Sequence, residues 1–199
     1  MNLDVLDLTK SADNRRCGEC TLCCTLLPVK SLGKGANTRC AHARGLGCNI
    51  YRKEGFPGEC ALWNCRWIIN DDAGDLRRPD RSHYVIDIVP DFVRAENSEN
   101  RAQIPIPIIQ IWCDPRYPDA HRDPALRAWI IRQTGFAALV RYNDRDALFL
   151  LPPTMSDTGE WEEIGGNRNR VEEGTHRASE IAAVLHGAGI GVKVEVKRH

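Results

Sequence analysis

Nine cysteines are spread very unevenly along this chain. Cys17, Cys20, Cys23 and Cys24 fall within eight residues; Cys40, Cys48, Cys60 and Cys65 follow, and only Cys113 stands apart. Thiolates bind zinc, iron and iron–sulfur clusters because sulfur is soft and loses its proton readily beside a cation. A C-x-x-C pair can place two sulfurs on one metal at roughly 2.3 Å each. Cys17, Cys20 and Cys23 repeat that spacing, and Cys24 comes immediately after. On a helix, Cys17, Cys20 and Cys24 would share one face. Adjacent Cys23 and Cys24 are expected to point in different directions, which argues against both serving one single-metal site. Eight sulfurs therefore predict two sites or one multinuclear cluster. Cys113, set in Ile111-Trp112-Cys113-Asp114, reads as an ordinary buried cysteine.

The downstream spacing is C40-x7-C48-x11-C60-x4-C65. It lacks the two clean C-x-x-C knuckles of a zinc ribbon. Nor does the first block fit the C-x2-C-x2-C-x3-C-P run of bacterial ferredoxins, since its fourth cysteine follows the third directly.

Cys17-x-x-Cys20-x-x-Cys23-Cys24, then Cys40, Cys48-Asn49-Ile50-Tyr51, Pro57-x-x-Cys60 and Cys65-Arg66 together resemble the bacterial CxxCxxCC cysteine-cluster family (YkgJ-type), described as zinc- or iron-chelating. The resemblance covers roughly residues 15–68. It implies metal binding and says little about a reaction. The chain departs from the family's C-x-I-Y-x-x-R-P-x-x-C by two extra residues and by Phe56 in place of the arginine before Pro57. Some relatives carrying such a cluster are flagellin lysine methylases that need an iron–sulfur cluster; this chain is short for such an enzyme and shows no S-adenosylmethionine loop.

What must position these thiols is a region of unusual make-up. Residues 17–69 are rich in glycine, and such a segment buries too little apolar surface to order itself without cross-links. A structural metal supplies roughly 10–16 kcal/mol in small peptides. Residues 1–70 carry ten Lys/Arg against six Asp/Glu, whereas the whole chain has 27 of each and formal net charge zero. The local basic excess suits a centre built from thiolates, and the zero overall charge argues against a nucleic-acid module. No secretory signal or membrane-length apolar run is visible, so a reducing cytoplasm is expected, where cysteines favour metal or redox chemistry over disulfides.

The expected fold class is α+β: a small Cys-rich metal-stapled N-terminal module (17–70), preceded by a lead-in (1–16) and packed on a mixed α+β domain (80–199), with one continuous globular unit as the alternative division. Ala61–Ile69 reads as a short helix. The polar stretch from Asn70 to Asp80 reads as a junction, with Asp71, Asp72 and Asp75 solvated. Strands are expected over Tyr84–Val89 and Gln103–Trp112, the latter at a sheet edge because Pro105 and Pro107 remove N–H groups from one side. Asp123-Pro124 signals a helix start with Leu126, Trp129 and Ile130 inward, and Gly135 its stop. Phe136–Tyr142 and Ala147–Leu151 predict a hairpin, Trp161–Ile164 a short strand, Thr175–His186 a helix and Ile190–Val196 a final strand.

Other residues able to do chemistry read more blandly. His42, His83 and His121 are expected at the surface or behind the ligands. Arg15, Arg16, Arg39, Arg44, Arg52 and Arg66 form a solvated basic face or donate to sulfurs. Trp63 and Trp67 are expected to pack between cluster and second domain. No Ser/His/Asp order, phosphate-cradling loop or HExxH motif is present, so no catalytic residue is assigned. The sequence thus predicts a cytoplasmic zinc- or iron-chelating protein whose metal is structural or carried, with Cys17, Cys20, Cys23, Cys24, Cys40, Cys48, Cys60 and Cys65 as ligands. The alternative is an enzyme or electron-transfer protein holding an iron–sulfur cluster. A nucleic-acid-binding zinc module ranks third, and its binding would fall steeply with salt.

Overall fold

The computed structural model of the chain describes residues 15–45, 47–62, 65–69, 71–73, 75–87, 91–96, 103–133, 137–143, 146–154, 156 and 158–165. The helix expected over 175–186, the strand over 190–196 and the side chain of Trp63 lie outside them.

A mixed sheet organises the molecule. Its strands are β3 (Tyr84–Ile86), β4 (Asp91–Glu96), β5 (Gln103–Cys113), β6 (Ala138–Arg141), β7 (Ala147–Leu151) and β8 (Glu162–Ile164). They follow β1 (Ala43–Arg44) and β2 (Gly47–Cys48), which pair as a separate two-stranded ribbon. The order is β3-β5-β6-β7-β8, with β4 also paired to β5. Every pairing is antiparallel except β5 with β6, which run parallel. A parallel pair needs a crossover, and the helix α5 (Pro124–Arg132) lies on that connection. Its start is the predicted one: Asp123 accepts from the Ala125 amide at 3.0 Å and Pro124 occupies the first turn.

Strand alternation decides which region covers which face. Tyr84, Ile86, Ile109, Ile111 and Cys113 turn to a core completed by Leu126, Trp129 and Ile130 of α5, Val140, Leu148 and Leu150. Val85 and Trp112, directly paired across β3 and β5, turn the other way. They meet Cys20, Leu22, Leu26, Leu27 and Cys65. The sheet therefore has α5 on one side and the cysteine region on the other.

The proline strand behaves as its sequence requires. Pro105 and Pro107 pair with Arg94 and Phe92 of β4, and among the described residues 103–108 have no strand on their other edge. The expected helix over Ala61–Ile69 is corrected. Two short helices, α2 (Gly58–Leu62) and α3 (Arg66–Ile69), flank Cys65, which instead forms a β-bridge with Asp87. In the stretch from Asn70 to Asp80, Asp71, Asp72 and Asp75 are exposed, while Ala73 and Leu76 are buried in the sheet's core. The stretch runs into α4 (Pro79–Ser82), which leads to β3 and is closed by His83 with a left-handed φ of 63°. No helix among the described residues is long and apolar enough to cross a membrane.

Candidate metal centre

The first block is a turn followed by a helix, not a helix throughout. The Cys20 amide donates to the Cys17 carbonyl at 2.9 Å, and Gly18 holds a φ of 54° that strains any residue with a Cβ. The helix α1 (Leu22–Leu26) begins only after Cys20, so the predicted shared face of Cys17, Cys20 and Cys24 does not form. Gly47, with φ 107°, backs onto this turn: a Cβ there would stand 2.9 Å from the Gly18 carbonyl. Two glycines thus let the ribbon β1–β2 and the first cysteine turn touch backbone to backbone.

Cys17, Cys20, Cys23 and Cys65 line one small cavity with Trp67, Val85 and Arg78. Its volume is about 10 Å³, the scale of a single water molecule. Cys20 and Cys65 are 8% and 7% exposed. Burial pushes the Cys65 thiol up to about 12 and Cys17 to about 11, with the neighbouring sulfurs adding to both shifts. Cys17 and Cys23 are half-buried. Thiols with raised pKa values stay protonated until a cation draws the protons off.

The other four cysteines gather differently. The Cys40 amide donates to the Cys24 carbonyl at 2.9 Å, and Ala43, whose amide bonds the Cys40 carbonyl at 3.0 Å, pairs with Cys48 across the ribbon. Cys60 lies on α2, whose Glu59 accepts from the Ser31 amide and hydroxyl at 3.0 and 2.6 Å. Burial, joined by the charges of Cys24, Cys40 and Cys48, raises the Cys60 thiol to about 11. All four are half-buried.

Lys34 sits among these sulfurs and was not anticipated. It is only 8% exposed, and its Nζ donates to the carbonyls of Thr25 at 3.2 Å, Gly35 at 3.3 Å and Leu27. Burial lowers its pKa, while Cys40, Cys24, Cys23 and Cys60 pull it back up. Among the described residues no carboxylate pairs with it, so the anion that can balance this buried ammonium is thiolate. The sequence offered little signal for it beyond a lysine between Gly33 and Gly35.

Backbone amides also face the sulfurs. The His42 amide approaches Cys40 Sγ at 3.5 Å. Leu22, Ile50 and Trp67 amides stand in the same two-residues-on relation to Cys20, Cys48 and Cys65, and each lowers its thiol's pKa. Donors aimed at sulfur stabilise the thiolate.

Cys23 and Cys24 correct one expectation. Their sulfurs do not diverge but stand 4.0 Å apart, in hydrogen-bond contact. That contact, with Lys34 and Arg39 assisting, brings Cys24 down to about 7 and sends Cys23 upward. The donor set suits a thiophilic metal. Among the described residues, however, no three His, Cys, Asp or Glu side chains stand gathered as a ready-made metal-binding group.

The remaining candidates fall into structural places. Cys113 is fully buried, as expected, and its burial raises the thiol's pKa. Trp67 packs against both cores and donates Nε1 to the Leu76 carbonyl at 2.8 Å. Arg15 donates to the Trp67 carbonyl at 2.7 Å, Arg39 to that of Ala43 at 3.3 Å, and Arg66 lies over the Trp129 ring at 5.2 Å. His83 is half-buried and stacks on Tyr117 at 3.5 Å. His121 is not at the surface but wholly buried; its ring nitrogens meet Glu163 at 3.0 Å and the Pro118 carbonyl at 2.9 Å. Glu163 is brought down to about 2, chiefly by the Arg122 guanidinium and then by His121, against the effect of burial.

No family model matches the chain, and no curated protein or solved structure matches it significantly. The likeness to the CxxCxxCC proteins rests on the sequence motifs alone, the cysteine spacing with Ile50, Tyr51, Pro57 and Arg66.

Proposed function

We propose that this protein chelates zinc or iron through its CxxCxxCC-type cysteine cluster, the metal being structural or carried. The observation that carries this reading is Cys17, Cys20, Cys23 and Cys65 converging, from positions up to 48 residues apart, on one cavity of atomic size. Four thiols around one small cavity, two buried and two half-buried, have no packing advantage over alkyl groups, whereas a thiophilic ion satisfies all four at once. Amides directed at the sulfurs and Lys34 among them supply the positive potential that a thiolate centre requires. When bound, the metal supplies the cross-links that a glycine-rich segment lacks. Cys17, Cys20, Cys23, Cys24, Cys40, Cys48, Cys60 and Cys65 would hold it, while Lys34 and Arg78 balance its charge.

Elemental analysis of purified protein tests this directly. Stoichiometric zinc in a colourless preparation supports chelation of zinc. A brown, anaerobically purified protein with sulfur-to-iron charge-transfer absorption would instead establish an iron–sulfur centre, and with it an electron-transfer or enzymatic role. If neither metal co-purifies, and Cys20→Ala with Cys24→Ala leaves thermal stability unchanged, the proposal fails.

A further inference from the structure

The eight thiols are not equivalent, and their placement divides them. Cys17, Cys20, Cys23 and Cys65 face the cavity against Val85, and none of the other four cysteines lines it. Cys24, Cys40, Cys48 and Cys60 are linked through the Cys40–Cys24 backbone bond, the β1–β2 ribbon and α2. The dipeptide Cys23-Cys24 belongs to both sets, one residue to each, with 4.0 Å between its sulfurs.

Three further observations bear on the division. The inner cavity has room for one ion, not for a cube of iron and sulfide: at about 10 Å³ it is on the scale of one water. Each set holds two cysteines whose sulfur faces the amide two residues on: Cys20 and Cys65 in one, Cys40 and Cys48 in the other. Cations accompany both sets: Arg78 lines the inner cavity, and Lys34 stands by Cys40, Cys24 and Cys60 of the outer set and also by Cys23 of the inner one.

Access differs as well. Cys20 and Cys65 are buried in the cluster with Val85 and Trp112, so an incoming ligand cannot approach from the sheet side. Cys17 and Cys23 are half-buried like all four outer cysteines, so the difference lies in Cys20 and Cys65, which the sheet covers and which have no counterpart in the outer set.

Building on the chelation reading, we propose that the eight thiols form two single-ion tetrathiolate centres. The inner one, from Cys17, Cys20, Cys23 and Cys65, is a permanent staple between the cysteine region and the sheet. The outer one, from Cys24, Cys40, Cys48 and Cys60, exchanges its ion with thiol or imidazole ligands of an acceptor. The site from which a carried metal leaves is therefore the outer one.

The full chain, loaded with Zn2+ and challenged with the chelator 4-(2-pyridylazo)resorcinol, tests the division. Two equivalents of zinc per chain are expected, one released at least ten-fold faster than the other. Cys60→Ala and, independently, Cys40→Ala should each abolish the fast equivalent and retain the slow one, with an unchanged far-UV circular dichroism spectrum. Cobalt substitution of either variant should preserve the visible absorption of one tetrahedral thiolate site. Loss of both equivalents in the two outer variants, or retention of both, overturns the partition, as does a wild-type chain with a single class of metal. Wild-type protein that takes up no metal overturns chelation itself, a result distinct from any of these.

Discussion

The two faces of the central sheet are covered by regions held together in different ways. On one side, α5 lays Leu126, Trp129 and Ile130, all fully buried, onto β5, β6 and β7. On the other, the cysteine region offers Leu22, Leu26 and Leu27 and then sulfur. Among the described residues its secondary structure consists of two five-residue helices, one 3-10 turn and a ribbon of two two-residue strands. The first face is stabilised by area removed from water, at about 25 cal/mol per Å². On the chelation proposal, the second takes its order from what its thiols bind. A single chain would then combine a self-sufficient half and a conditional one.

The largest effect should separate the halves outright. Stripping metal with a strong chelator under reducing conditions removes a contribution on the order of 10 kcal/mol. Amide signals from 17–65 should then collapse in an NMR spectrum while those of 138–151 persist. Loss of both sets together would show that the sheet also depends on metal. In the opposite direction, Leu126→Ala opens a cavity under α5 and should cost about 3 kcal/mol in denaturant unfolding. Its metal content should stay at the wild-type value; a parallel loss of metal would erase the distinction drawn here.

A smaller effect tests the polar side of the sheet core. The Glu163 carboxyl, held by Arg122 and His121 at about 2 against an ordinary 4.5, is depressed in the folded state. Its contribution is therefore complete above the ordinary value and disappears as pH falls from about 4.5 toward 2. Discounted for partial exposure, it amounts to about 2 kcal/mol. Glu163→Gln should lower stability at pH 6 and leave it nearly unchanged near pH 2, as read by urea midpoints at both. The smallest change is expected for Cys113→Ala, about 1 kcal/mol of packing, with no loss of metal. A metal deficit there would recruit the ninth cysteine to the cluster and undo the division into eight and one.

Legibility in the sequence also split along this line. The start of α5 could be read from Asp123-Pro124, and the β6–β7 hairpin from two apolar runs around Asn143–Asp146, because local chemistry decides both. The edge position of 103–108 followed from two prolines. β4 went unread: in Asp91-Phe-Val-Arg-Ala-Glu96 half the residues are charged, and pairing with β5 outweighs its weak propensity. The break in the 61–69 helix was hidden for a related reason. Cys65 is drawn into a bridge with Asp87, a partner 22 residues away that helical periodicity cannot reveal. For the candidate site, the sequence named the eight candidate cysteines but not their grouping. Which sulfurs meet depends on the close approach of Gly47 to Gly18 and on the β-bridge at Cys65, both of them tertiary. Nor could a buried Lys34 be read from a loop sequence.

Trp67 lines the inner cavity beside Cys17 and Cys65, and Trp112 stands in the same cluster. Two indoles so close to the proposed staple give the chain a built-in optical gauge. Tryptophan emission should be quenched as Co2+ fills the inner centre and recover as it empties, whereas exchange at the outer centre should leave it nearly constant. Occupancy of the buried site can then be followed in unlabelled protein, one titration step at a time.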